Sequence, residues 1–335
     1  VKNIIGAKPA AAAEVRFLTV DGESAGQRLD NFLFRHLKGV PKTHVYRIIR
    51  SGEVRVNKGR AQAETRVEAG DVLRVPPLRL PAAAQAAPPV PPRSFAILHE
   101  DEALLAIDKP AGVAVHGGSG VSFGVIEQLR AARPGARFLE LVHRLDRETS
   151  GILLVAKKRS ALTALQDQFR ERDTGKTYLA LVEGQWPARR KVLDAPLARY
   201  LLPNGERRVR VVAKDHPDAM RAVTLVRTLA SLPGLGDDAV PMTLLAVTIK
   251  TGRTHQIRVH LASGGHPIAG DDKYAPPGRR DALQRQGLGR MFLHAWRLQF
   301  THPAGGERMA LQSDLPGELA RLLPPAALAM LSGHD

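Results

Sequence analysis

One carboxylate is set among cations just ahead of a run of aliphatics. In VHRLDRETSGILLVAKK, residues 142–158, Asp146 lies between Arg144 and Arg147, and Ile152, Leu153, Leu154 and Val155 follow. Such a run reads as a buried strand, which fixes the loop before it and can hold Asp146 in one orientation. The flanking cations would keep the carboxylate ionised. An ionised, oriented carboxylate can act as nucleophile or base. The same residue types would also suit a plain Arg–Asp ion pair at the surface.

Three further segments carry candidate chemistry. In KTYLALVEG, residues 176–184, alternation puts Tyr178, Ala180 and Val182 on one strand face and Leu179 and Leu181 on the other. Tyr178 then either packs in a core or offers a ring on which a nucleobase stacks. In IKTGRTHQIRVHLASGGHP, residues 249–267, Thr251 and Gly252 turn the chain out of a strand, and Thr254 caps a short helix. Ile257 and Leu261 face its core and Gly264-Gly265 ends it, which leaves Arg258 at the margin of the buried face, within reach of an interior carboxylate. His255 and His260, five residues apart, diverge on a helix or a strand, so no metal site is expected. In IDKPAGVAVHGGSG, residues 107–120, glycines and a lysine could cradle phosphate or form an ordinary turn. The G-x-x-x-x-G-K-[ST] pattern of a nucleotide-binding loop is absent.

The elements that must position these residues fall into two unequal parts. PAAAQAAPPVPPR, residues 81–93, has no apolar periodicity, and its prolines favour an extended, semi-rigid spacer. Before it, residues 26–80 give two short amphipathic helices, one carrying Leu29, Phe32, Leu33 and Leu37, the next Val45, Ile48 and Ile49, with Gly52 ending the second. Val54 and Val56 read as a strand, Asn57-Lys58-Gly59 as a turn, and Val72, Leu73 and Val75 as another strand. Arg28, Lys42, Arg47, Arg50 and Lys58 lie among the cations that decorate this unit, which resembles the S4 RNA-binding module. Residues 1–25 are expected as an N-terminal extension.

Residues 94–335 alternate short strands, at 104–107, 151–156, 177–182, 243–249 and 298–300, with helices such as 160–172, where Ser160 is the expected N-cap. The fold class expected is α+β, with a mixed, mainly antiparallel sheet in the larger domain.

Composition narrows the partners. Lysine and arginine number 49 against 33 aspartates and glutamates, a net charge of +16, which favours a polyanion such as nucleic acid. There is no cysteine, which excludes disulfides, thiolate metal sites and cysteine nucleophiles. No apolar run approaches the roughly 18 residues of a membrane span, and the first residues lack a secretory pattern. A soluble, cytoplasmic, monomeric protein with no membrane partner is expected.

Taken together and in this order, the segments resemble the RluA family of pseudouridine synthases. The family's motif stands here as His143-Arg144-Leu145-Asp146 followed by Arg147-Glu148-Thr149-Ser150-Gly151, with KxYxAxVxG at residues 176–184 and TGRTHQIRVH at residues 251–260. The likeness spans essentially the whole chain. LKGVPK, GEVRVNK, AVHGGSG, FGVIE and ARFLELVHRLDR are of the kind found in a subtype that modifies three uridines of large-subunit ribosomal RNA. The departures are the Ala/Pro-rich linker and the N-terminal extension, which leave the catalytic assignments untouched.

The resemblance implies isomerisation of uridine to pseudouridine, in which the N1–C1′ bond breaks, the uracil turns over, and C5 bonds to C1′. No atoms are gained or lost, so neither cofactor nor metal is implied. By the family match Asp146 attacks C1′ or removes the C2′ proton, and Arg258 pairs with it. Tyr178 packs against the flipped uracil and is a candidate to take the C5 proton. Arg144 enters the space the base leaves, and Leu261 lines the pocket. Lys176 pairs with an acid or touches a phosphate, and the cations of the S4-like module contact RNA. The partner implied is large-subunit ribosomal RNA or a ribosomal precursor particle. Two other readings compete: an RNA-binding or ribosome-assembly protein without catalysis, and a glycoside hydrolase or nucleosidase. The latter needs a second carboxylate and an activated water, which neither Glu148 nor Asp108 supports.

Overall fold

The computed structural model describes residues 14–22, 24–37, 39–78, 89–118, 122–234 and 240–332. The chain divides into two compact units, with the break between Pro89 and Val90. Most of the expected linker lies outside the described residues.

In the first unit, β1 (Arg16–Thr19) precedes α1 (Leu29–His36), α2 (Lys42–Arg50), β2 (Arg55–Val56) and β3 (Val72–Val75). The strands form one antiparallel sheet in the order β1-β3-β2. β1 falls in the segment expected as an extension: it pairs with β3 from Arg16 against Val75 to Thr19 against Val72, and Val20 after it is buried in the core. The turn after β2 is as its residue types demand. Asn57 and Lys58 both have positive φ, 48° and 70°, and Val56 and Gly59 exchange backbone hydrogen bonds around them. The helices bury Leu29, Phe32, Leu33, Val45, Ile48 and Ile49 against the sheet, a contribution of roughly 1.5–3 kcal/mol for each large side chain.

The second unit begins with the hairpin β4 (Ala96–Glu100) and β5 (Leu104–Lys109), then α3 (Val125–Ala132), β6 (Glu140–Leu141), β7 (Ser150–Ala156), α4 (Arg159–Glu171) and β8 (Gly175–Glu183). β9 (Val192–Asp194), β10 (Leu197–Leu201), β11 (Arg207–Val211), β12 (Val223–Leu232) and β13 (Met242–Ile249) lead to α5 (Gln256–Ser263) and α6 (Arg279–Arg285). β14 (Leu293–Thr301), β15 (Arg308–Gln312), α7 (Gly317–Ala320) and α8 (Pro325–Ser332) follow. The main sheet runs β4-β5-β7-β14-β8-β13-β12-β9, and β10-β11 form a separate ribbon. Among the described strands only β7 and β14 pair in parallel, so the mixed, mainly antiparallel α+β expectation is borne out.

β7 is the mount for the loop that carries Asp146. Every residue of it is buried, and alternation sends Ile152, Leu154 and Ala156 to a core shared with α4, and Leu153 and Val155 to one shared with α3. Covering both faces explains the unbroken aliphatic run. Gly151 is required where β7 meets β14: its φ is +106°, and a Cβ there would stand 2.3 Å from the carbonyl oxygen of Ala295.

Two expected caps are not used. α4 starts one residue early, at Arg159, with Lys158 at the cap and no side-chain capping bond, because β7 leads almost directly into the helix and Ser160 already lies in its first turn. α5 starts at Gln256, behind a His255 in the left-handed region, and Thr254 lies outside it. The Gln256 side chain instead reaches back to accept the N–H of Arg253, in the turn that leads into the helix. No helix among the described residues is long and apolar enough to cross a membrane.

Candidate active site

Three segments far apart in the chain converge on one cleft in the second unit. Asp146 sits in the loop before β7, Tyr178 on β8, and Arg258 in the first turn of α5, and all three line the cleft together with Ile249, Leu293 and His255. The Asp146 side chain is one-fifth exposed, while Arg258 is almost wholly buried. Arg258 Nη1 stands 3.7 Å from Asp146 Oδ2. At that separation the two form an ion pair rather than a hydrogen bond.

The guanidinium is aimed from behind. Arg258 donates from Nε to Asp271 Oδ2 at 2.7 Å and from Nη2 to Asp271 Oδ1 at 2.6 Å, with a further Nη2 bond to Asp272 at 2.9 Å. A bidentate fork fixes the plane of the group as well as its place, which leaves Nη1 directed at Asp146. Burial works against the charge on Arg258, but the hydrogen bonds and charge of Asp271, with Asp146 and Asp272 adding to them, raise its pKa above the usual arginine range. Burial likewise pushes Asp271 up, yet the bonds from Arg258 and from the N–H groups of Lys273 and Tyr274 hold it below the ordinary carboxylate value. Sequence reasoning missed Asp271. The signal available was Gly270-Asp271-Asp272-Lys273, two adjacent acids in a strongly basic chain.

The sequence neighbours of Asp146 do less than expected of them. Arg147 donates to the carbonyl of Gly112 and sits 3.5 Å from Glu148, so it ties the loop down instead of facing Asp146. Arg144 is exposed at the mouth of the cleft and makes no ion pair or side-chain hydrogen bond among the described residues.

The loop is also clamped from below. Lys109, at the end of β5, is fully buried, and its ammonium donates to the carbonyls of Pro110, Val113 and Arg147 at 2.8, 2.9 and 3.1 Å. Of the two readings open for that segment, this geometry fits the ordinary turn: the lysine binds its own chain. The N–H groups of Gly117 and Gly124 are likewise taken, by Glu127 Oε2. Residues 119–120 of that segment lie outside the described residues. Behind the loop, Ser150 bonds to both Arg290 and His294 and locks the start of β7 to β14.

Tyr178 pairs across β8 with Val247 and Ala295 and packs against two apolar clusters while its ring lines the cleft. Burial, and then the charge of Asp146, push its hydroxyl above the ordinary tyrosine value, so it stays a neutral phenol. Leu261 is fully buried in the core and does not line the cleft, which α5 meets one turn earlier with Gln256, Ile257 and Arg258.

Beside Tyr178 a second groove is lined by Arg144, Arg170, Arg172, Lys176, Lys250 and Arg253, with no carboxylate. Lys176 has no acid partner among the described residues: its ammonium lies over the Phe169 ring, 4.8 Å from the centroid, and burial lowers its pKa. Phe169 stacks in turn on His143, whose Nε2 accepts from the N–H of Leu154 and which burial pulls down to about 3. The histidines after β13 do diverge: His255 bonds to Tyr274, His260 to Thr224 and Ala195, and His266 to Glu183.

In the first unit, Arg28 is paired with Asp30 and Glu64 while its side chain stays partly exposed. Lys42 lies over the Phe34 ring, and Arg47 bonds to His44. Arg50 and Lys58 are exposed, Arg50 beside a hollow it shares with Tyr46 and Arg60.

An aimed carboxylate, a buried arginine and an aromatic wall thus share one cleft. The model of the RNA pseudouridylate synthase family matches residues 103–263, and the S4 domain model matches residues 27–73. The chain is 50% identical over 316 residues to the ribosomal large subunit pseudouridine synthase C of Pasteurella multocida (strain Pm70), covering 92% of this chain and 93% of that one. It is 49% identical over 320 residues to the protein of that name from Escherichia coli (strain K12), covering 92% and 96%. Among solved structures it is similar to human RNA pseudouridylate synthase domain containing 1, with TM-score 0.56 and 27% identity over 68% of this chain and 87% of that one. Human RNA pseudouridylate synthase domain containing 4 gives 0.54 and 28%, over 70% and 92%. The chain belongs to the RNA pseudouridylate synthase family, carries an S4 domain ahead of the synthase domain, and bears out the resemblance drawn from its motifs.

Proposed function

We propose that this protein isomerises uridines of large-subunit ribosomal RNA to pseudouridine, with Asp146 as the attacking group. The observation that carries the reading is the convergence of Asp146, Tyr178 and Arg258, from three separate segments, on one cleft. Resemblance to the C-type synthases of the ribosomal large subunit supplies the RNA class, and the three uridines modified by that subtype are the expected targets.

The target uridine leaves its stack and enters the cleft, and Arg144, exposed and unengaged at the mouth, fills the gap. Arg258 pairs with the Asp146 oxygen and orients it toward the sugar, where it attacks C1′ or removes the C2′ proton while the N1–C1′ electrons pass to the base. The detached uracil turns against the Tyr178 ring, and C5 bonds to C1′. Tyr178, held as a neutral phenol, serves as the wall on which the base turns and not as a ready base. Asp146 is the one carboxylate among the described residues lining the central cleft, and it suits the final C5 proton better. The cationic groove with Phe169 and Lys176 takes the flanking strand, and the S4 domain adds RNA affinity.

Carbodiimide treatment and primer extension on large-subunit RNA from cells with and without the protein test the reading. Stops present only with the protein support it, and identical stops in both RNAs overturn it.

A further inference from the structure

A second polar side chain faces the Asp146 carboxylate from the cleft wall. His255 occupies the residue before α5 with φ 52°, a left-handed conformation that costs a non-glycine residue roughly 1–2 kcal/mol. The turn is held by Gln256, whose side chain accepts from Thr251 Oγ1 at 2.7 Å and from the Arg253 N–H, and donates to Val223 O and Thr224 Oγ1. Strain kept in place by so many bonds aims the imidazole: Nε2 stands 3.9 Å from Asp146 Oδ2, and the side chain is only 14% exposed.

Its other nitrogen decides its tautomer. Nδ1 lies 2.8 Å from Tyr274 Oη, and that oxygen already accepts the Val209 N–H at 3.2 Å. Among the described residues the acceptor within hydrogen-bond reach of the phenol hydrogen is Nδ1. The reverse arrangement, Nδ1–H donating to the phenol, would leave that hydrogen without a partner in a half-buried place. Neutral His255 therefore carries its proton on Nε2, toward Asp146. Burial first, then Arg258 and Lys273, lower the pKa of His255, while Asp146 and Asp271 oppose them, and the net effect favours the neutral ring.

This rests on the reading of the cleft as a pseudouridine synthase site. Whichever step Asp146 performs, it works beside C1′, and the polar uracil atoms on that side are N1, bonded to C1′, and O2, carried on the neighbouring C2. When the N1–C1′ bond breaks, its electron pair stays with the base and spreads over N1, O2 and O4. We propose that His255 is a further catalytic residue, which donates a hydrogen bond from Nε2 to the uracil O2 as that charge develops. Tyr274 is its positioning residue. The proton is shared and not transferred, and the ring stays neutral throughout. A donor aimed at developing charge in a dry cleft typically contributes 10²–10³ in rate.

Tyr274 also connects the site to the ribbon β10-β11. Val209 lies on β11, Arg208 beside it donates to the Lys273 carbonyl, and Lys273 pairs with Glu206 at the ribbon's turn. The hydrogen bond that sets the tautomer of His255 is thus anchored outside the cleft.

The test uses the full-length protein at saturating concentration in single turnovers on a ribosomal RNA fragment carrying uridine or 2-thiouridine at the target. Sulfur accepts hydrogen bonds poorly, so wild type should convert the 2-thio substrate about tenfold more slowly. His255→Gly, whose backbone suits the left-handed turn, should melt and bind RNA like wild type, turn over uridine about 10²-fold more slowly, and no longer distinguish the two substrates. Tyr274→Phe should lose about tenfold in rate and narrow the discrimination, with RNA affinity unchanged. An undiminished 2-thio penalty in His255→Gly, or a full rate on uridine, overturns the proposal while leaving the enzyme assignment intact. No turnover by wild type on either substrate would instead sink the reading on which it rests.

Discussion

Arg258 gives its two shortest hydrogen bonds not to Asp146 but to Asp271, at 2.6 and 2.7 Å, and stands 3.7 Å from Asp146. The buried carboxylate thereby does two things, neutralising a cation the interior could not otherwise hold and leaving one terminal nitrogen for the reactive acid.

Asp271→Asn keeps the shape and removes the charge. Leaving a buried ion without its partner costs about 3–5 kcal/mol, and a guanidinium free to swing should slow the chemical step by about 10²-fold. Urea unfolding together with single-turnover kinetics checks both effects. Asp272→Asn, whose partly exposed side chain adds one bond, should change each by far less.

Gly151 separates β7 from β14 directly behind the Asp146 loop. In Gly151→Ala the new methyl meets the Ala295 carbonyl at 2.3 Å on a backbone with φ +106°, a combined cost of about 3 kcal/mol or more. A melting temperature lower by about 10 °C, or an insoluble product, is expected, and calorimetry decides.

Lys109 introduces a pH dependence of stability. Burial pulls it down to about 7, against about 10.4 in an unfolded chain, so between those values the unfolded state holds more protons and stability rises with pH. The contribution is lost as pH falls through 7. Lys109→Met removes the titration, and it also strips three carbonyls of their donor. The variant should be less stable at every pH, with the gap to wild type widening by on the order of 1 kcal/mol per unit between pH 7 and pH 9 in urea titrations.

The S4 domain is expected to contribute salt-dependent affinity. Replacing Arg50 and Lys58, both exposed, with alanine should lower the slope of log K against log salt by about 0.7–0.9 for each phosphate no longer neutralised, with the saturated single-turnover rate unchanged. Arg28→Ala should act mainly on stability, since Arg28 is engaged by Asp30 and Glu64.

What could be read from the sequence was what has a period or a local motif. The aliphatic run of β7, the alternation around Tyr178 and the glycine turn at Asn57-Lys58-Gly59 all declare themselves over a few residues. α5 declares its place but not how it is turned, because Gln256 to Leu261 are all buried and there is no polar stripe to orient it. Its polar side chains are satisfied by Asp271, Thr224 and Ala195, partners that only the tertiary structure brings near. For that reason Arg258 reads as lying at the margin of the buried face and Asp271 goes unnoticed, while Leu261, core by its spacing, is put on the pocket wall by the family resemblance alone. Lys109 stays ambiguous for the opposite reason: a lysine beside glycines suits a phosphate cradle or an ordinary turn, and only the tertiary structure shows its Nζ facing three backbone carbonyls.

The central claim is that Asp146 performs the chemistry in this cleft. Its most direct measurement is tritium release from large-subunit RNA labelled at uracil C5, since closing the C5–C1′ bond must expel that hydrogen. Wild type should release tritium in step with pseudouridine formed, and Asp146→Asn should bind the same RNA with similar affinity and release none. Release by Asp146→Asn at a rate near that of wild type would contradict the account.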